Sequence, residues 1–237
     1  SDEKQISIWV NPLQFLEADE PWAGLIVNNV TSEAVLEFIC TPGIGSDLNS
    51  IISRYKKISV EKKRIFAAPN EQRILDKLIW PLRHAKAGYI CGNYLGTIAL
   101  CGMVAEMVAI LLFEISNFRL NDRPMSDNDQ VSLFGSKFEK LGQDRRIQIL
   151  SVYGIINDDL KKAFEDIRLT RKRYLHLWSQ DHDRLPVDAE KSFQAAVLIV
   201  VSVIGQDVRE GILVLNPAIV NYLEKSGVFM DKDTANI

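Results

Sequence analysis

The sequence predicts an all-α protein, an up-and-down helical bundle behind an irregular N-terminal extension with some strand character. Three observations carry this. From Asn70 onward apolar residues recur at helical spacing. The segment at 94–118 is apolar nearly all round, a pattern that belongs in the middle of a bundle. Helix-start and helix-stop residues punctuate the rest of the chain at the intervals a bundle needs.

The extension covers residues 1–66 and the bundle 67–237. Within the extension, residues 6–10 (Ile-Ser-Ile-Trp-Val) and 24–28 (Gly-Leu-Ile-Val-Asn) have strand composition. Ser32 is placed to cap a helix running to about Cys40, stopped by Thr41, Pro42 and Gly43. Residues 50–64 are basic, with anchors Ile51, Ile52, Tyr55 and Ile65, and predict one or two short helices. In the bundle, Ile74, Leu75, Leu78, Leu82, Ala85 and Tyr89 form one helical stripe that Pro81 should kink. Gly92 and Gly96 mark a break before the apolar helix of Ile98, Val104, Val108, Leu111 and Ile115. A turn follows at 121–124. Ser126 then caps a helix expected to carry Val131, Phe134, Phe138 and Leu141 and to close at Gly142. A short helix spans 143–153 and ends at Gly154. Asn157 caps the next, with Asp158 and Asp159 favourable in its first turn and Leu160, Phe164, Ile167, Tyr174 and Trp178 on one stripe. A last long helix presents Ala189, Phe193, Ala196, Val200 and Ile204, and a short helix lies in the tail.

Composition narrows the function classes. A hydrophobic share of 47% and a charged share of 25% suit a globular domain with a substantial core. The net charge of −3 gives no global nucleic-acid signature, so such a role requires a local basic patch. Cys40, Cys91 and Cys101 have no CxxC spacing and read as reduced thiols of a cytoplasmic protein. The charged start 1–5 is unlike a signal peptide. Residues 97–113 are apolar but carry Glu106 at their middle, and 195–205 are too short to span a bilayer, so both are expected as core helices. No dinucleotide fingerprint, P-loop, nucleophile elbow or HExxH is present, and His84, His176 and His182 lack metal-ligand spacing. No cofactor and no metal is expected.

The informative segment is 166–178, with Arg168, Arg171, Lys172, Arg173, Tyr174, His176 and Trp178. Extending the stripe Leu160, Phe164, Ile167 by helical steps lands on Arg171, and an arginine on a core-facing stripe needs a partner. Glu106 has the same need with opposite sign. A structural ion pair between Glu106 and Arg171 or Arg173 answers both. Arg168, Lys172 and Arg173, with Lys161 and Lys162, form a candidate phosphate-binding face, interspersed with Asp158, Asp159, Glu165 and Asp166.

The pattern Ile167-Arg168…Arg171-x4-His176, behind a helix reading Gly-Asn-Tyr-Leu-Gly-Thr-Ile-Ala-Leu-Cys-Gly-Met-Val-Ala-Glu from Gly92 to Glu106, resembles the HEPN superfamily of helical-bundle domains over roughly residues 70–205. HEPN ribonucleases carry an R-x4–6-H motif, which Arg171 and His176 match. The residue after the arginine is usually Asn, Asp or His in that family and is Lys172 here. The resemblance implies a homodimeric, metal-independent endoribonuclease of the toxin or defence type. Its catalytic residues would be His176, moving protons to and from the ribose hydroxyls, and Arg171 or Arg173, stabilising the phosphorane. The alternative is a catalytically inert HEPN-like module for RNA binding or protein–protein interaction. On a regular helix five residues turn the chain by about 140°, so Arg171 and His176 do not share a face, whereas Arg173 and His176 do.

Overall fold

The structure, a computed structural model, describes residues 48–59, 72–175, 181–205, 207–209 and 212–225. The chain divides into two units, Ser1–Ser46 and Asp47–Ile237, and every described residue belongs to the second. The expected strands and helix of residues 6–40 therefore lie outside the described residues. The boundary expected at residue 66 falls within the second unit, which includes helix α1 (Leu48–Ile58).

The architecture is an all-α helical bundle. After α1 comes α2, built of Gln72–Ile74, a π-helical turn Leu75–Ile79 and Trp80–Ile90. Then follow α3 (Tyr94–Ile115), α4 (Asp127–Phe134), α5 (Gln143–Val152), α6 (Asp158–Leu175), α7 (Leu185–Ile204) and α8 (Pro217–Lys225). α3 is the central element: it packs most extensively against α7 and α2 and then α6, and α6 packs along α7. Its Ile98, Cys101, Val104, Val108 and Ala109 are fully buried. Helix α3 also has the length and apolarity to cross a membrane, but half of its most apolar window is buried inside the bundle. That burial is the signature of a core helix.

Local chemistry accounts for the joints. Trp80 N–H bonds to Leu75 O, five residues back, immediately before Pro81. The kink expected at the proline is thus taken up as one wider turn. Between α2 and α3, Gly92 adopts φ +86°, a left-handed conformation that glycine reaches without steric penalty. Asn93 then caps α3, accepting from Gly96 N–H at 2.9 Å. Gly96 is not part of the break. A Cβ there would stand 2.6 Å from Asn93 Nδ2, so its bare backbone leaves room for the cap. Buried Thr97 stitches the two helices together, donating to Ala85 O at 3.1 Å and Asn93 O at 2.9 Å.

Three further differences from the sequence reading concern irregular segments. The turn at 121–124 is a two-residue hairpin joining β1 (Arg119–Leu120) to β2 (Arg123–Pro124), with Asn121 and Asp122 at φ +51° and +61°. Helix α4 stops at Phe134 because Gly135 turns left-handed at φ +82°. Phe138 consequently falls in a separate 3₁₀ turn, Phe138–Lys140, and Gly142 precedes α5 instead of closing α4. A second hairpin, β3 (Asp207–Arg209) with β4 (Ile212–Val214), follows Gly205, whose left-handed backbone ends α7. The expected caps at Ser126 and Asn157 are present, each accepting a backbone N–H three residues on.

Helix α1 is held to the body by polar anchors as well as by Ile58. Arg54 Nε donates to Ile90 O at 2.7 Å, serving a carbonyl at the end of α2, and Lys57 pairs with Glu190 of α7 at 2.5 Å.

Candidate functional site

Helix α6 presents its cations in two directions. Ala163, Phe164, Ile167 and Tyr174 are buried in the bundle, so the residues between them are distributed over flanking faces that meet different neighbours.

Toward α3, Arg171 Nη1 donates to Glu106 Oε1, forming the ion pair that the helical stripe demands. Of the two arginines able to take this role by sequence, Arg171 fills it. Both side chains keep about a third of their surface exposed (33% each), so the pair sits at the edge of the core and not within it. The approach depends on Gly102: a Cβ there would stand 2.5 Å from Arg171 Cδ. Glycine inside a helix is unfavourable by about 1 kcal/mol relative to alanine, and here the bare position gives the arginine stem its passage.

Toward α7, Arg173 Nη1 donates to Asp188 Oδ2 at 2.9 Å, and Tyr174 Oη donates to the same oxygen at 2.9 Å. Asp188 is buried and these two donors satisfy it. Burial, together with the hydrogen bond to Asp188, raises the pKa of the Tyr174 phenol above its ordinary value. The His182 ring meets Tyr174 edge-on at 5.7 Å. Arg173, expected on the nucleic-acid face, is therefore committed to a carboxylate on the α7 side.

Between α3, α5 and α6 lies a cleft of about 370 Å³. Arg168, Arg171 and Lys172 line it together with Glu106, Gln143 and Asp144, over a floor that includes Ala105, Phe164 and Ile167. The Nε–H groups of Arg168 and Arg171 are buried without an acceptor. Gln143 is fixed, donating to Ala105 O at 3.3 Å and accepting from Arg146 Nη1 at 3.3 Å. Arg146 is buried behind it, bonded through Nε to Phe138 O at 3.2 Å and through Nη2 to Glu139 O. Burial lowers its pKa, and the negative charges of Glu106 and Glu139 oppose that shift.

The structure thus separates the candidate residues. Arg168, Arg171, Lys172 and Glu106 share the cleft, and Arg173 does not. His176 and Trp178 lie outside the described residues. His84 is exposed on α2. Among the described residues, no three His, Cys, Asp or Glu side chains are grouped to hold a metal ion.

Sequence reasoning overlooks Asp188, Gly102, Arg146 and the α5 residues of the cleft. Asp188 carries a signal, because it extends the buried series Ser192, Ala196, Ile199, Val203 by one helical step. Gly102, a glycine inside a strongly apolar helix, signals a close approach. Gln143 and Asp144 carry none, since a polar residue opening a helix is ordinary. The chain matches no family model, no curated protein and no solved structure.

Proposed function

We propose that this chain is a catalytically inert, cytoplasmic helical module that binds single-stranded RNA in the cleft between α3, α5 and α6, with backbone phosphates on Arg168 and Lys172. One observation carries the reading. Arg168 and Lys172 line the cleft without a carboxylate partner among the described residues, whereas Arg173, the arginine that helical spacing puts on one face with His176, is bonded to Asp188. A cation that stabilises a phosphorane must offer its N–H groups to the phosphoryl oxygens, and Arg173 is directed instead at Asp188 on the α7 side. The cleft lining carries three cations against two carboxylates, a local excess of positive charge on a body of net charge −3. An excess confined to one cleft favours a flexible single strand, which can lay individual phosphates on it, over a rigid duplex.

The test is binding and cleavage of a labelled oligouridylate by the full chain in EDTA. The expected result is salt-dependent binding without cleavage, unchanged in His176→Ala. In Arg168→Ala/Lys172→Ala the salt slope should be shallower by about 0.7 for each phosphate that is no longer neutralised. Cleavage that persists in EDTA and disappears in His176→Ala would overturn this reading in favour of the endoribonuclease. Retention of the double variant by a protein partner, with no RNA binding by wild type, would favour an interaction module.

A further inference from the structure

Arg168 and Arg171 stand three residues apart on α6, on successive turns of the face that lines the cleft. Each has a buried Nε–H without an acceptor. Arg171 engages Glu106 through Nη1 alone, which leaves incomplete a donor fork that suits a bidentate oxyanion. The Glu106–Arg171 pair is also one-third exposed on both sides, so water screens it and an incoming anion can compete for it.

Building on the RNA-binding reading of this cleft, we propose that Glu106 is a resident competitor for the RNA phosphate. Without RNA the carboxylate holds Arg171. On binding, a phosphodiester replaces it on the terminal N–H groups of the Arg171 guanidinium, with Arg168 and the Lys172 ammonium beside it in the cleft. Glu106 then turns toward solvent through the exposed part of its side chain. The device keeps Arg171 oriented along the groove over Gly102, and it sets the affinity by the difference between two anions for one guanidinium. It makes Arg171 a third phosphate-binding cation and Glu106 a determinant of binding strength.

The test compares wild type, Glu106→Gln, Arg171→Ala and the double variant of the full chain, each titrated with labelled oligouridylate over a range of salt. Glu106→Gln keeps the shape and an acceptor oxygen but removes the competing charge. It should bind about 10-fold more tightly at low salt with the salt slope unchanged, because the same phosphates are neutralised in both complexes and only the competing charge is gone. The gain should vanish in Glu106→Gln/Arg171→Ala. Affinity unchanged or weakened in Glu106→Gln, while Arg168→Ala/Lys172→Ala still binds less well than wild type, would overturn the competitor role and leave the RNA-binding reading standing. Equal binding by Arg168→Ala/Lys172→Ala and wild type would remove both. The wild-type chain supplies an independent readout should the glutamine variant fold poorly. The Arg171 Nε–H resonance should shift on saturation with oligouridylate, and a resonance that stays in place refutes the exchange of partners.

Discussion

Arg171 crosses α3 directly over Gly102. A methyl group added at residue 102 would stand 2.5 Å from the arginine Cδ and 3.2 Å from its Nε. The glycine and the arginine thus form one packing unit, and the Glu106 ion pair depends on it.

Gly102→Ala therefore combines two opposed effects. Helix propensity favours alanine by about 1 kcal/mol, and overpacking against the Arg171 stem costs about 1–3 kcal/mol. We expect a net loss of about 1 kcal/mol in the wild-type background by urea denaturation. In an Arg171→Ala background, with the obstruction gone, the same substitution should stabilise by about 1 kcal/mol. A change of the same sign in both backgrounds would contradict the close approach.

Asp188 is the deepest polar anchor of α6. Removing it leaves the Tyr174 hydroxyl buried without an acceptor and Arg173 without its counter-charge. Asp188→Ala should cost about 3 kcal/mol and Tyr174→Phe about 1 kcal/mol. Arg173→Ala should fall between them, because the arginine itself is 47% exposed but its loss leaves the buried Asp188 carboxylate without its counter-charge. Denaturation midpoints at unchanged m-value test the order, and an Arg173 variant as damaging as Asp188→Ala would show that the charge pair and not the buried tyrosine holds the joint.

Cys101 makes the bundle sensitive to alkali. Burial pushes its thiol from an ordinary value of 9.0 up to about 12. The fold thus holds the thiol proton more tightly than the unfolded chain does. This contribution is intact below pH 9.0 and is lost as pH rises toward about 12, at up to about 1.4 kcal/mol per pH unit. Tyr89 and Tyr174, both raised above the ordinary tyrosine value of 10.0, act in the same direction at higher pH. Cys101→Ala should flatten the stability profile between pH 9 and 10, where the thiol acts before the tyrosines. A slope identical to that of wild type in this window would contradict the burial of the thiol.

Much of the fold is legible in the sequence because its determinants are local. The period of Leu160, Phe164 and Ile167 makes α6, Asn157 starts it, and Gly154 ends the segment before it. The end of α4 is not legible, because Phe138 and Leu141 continue the apolar series of Val131 and Phe134 and point to Gly142 as the stop, whereas the left-handed backbone at Gly135 ends the helix. The candidate site is half legible. A lone acid in an apolar helix and an arginine on a core stripe each require a partner wherever they fold, so the Glu106 pairing follows from charge and burial alone.

The sequence by itself determined that this chain forms a helical bundle around the apolar 94–118 segment and that Glu106 is matched by a cation from the 166–178 segment. Only the tertiary structure decided which cation. Arg171 and Arg173 are two residues apart, about 200° around a helix, so they cannot serve the same neighbour. Arg171 meets Glu106 because α3 packs on that side with Gly102 beneath it, and Arg173 meets Asp188 because α7 packs on the other. Helical period fixes the angle between two side chains. Which helix waits at each angle is settled by how the whole bundle closes around its core.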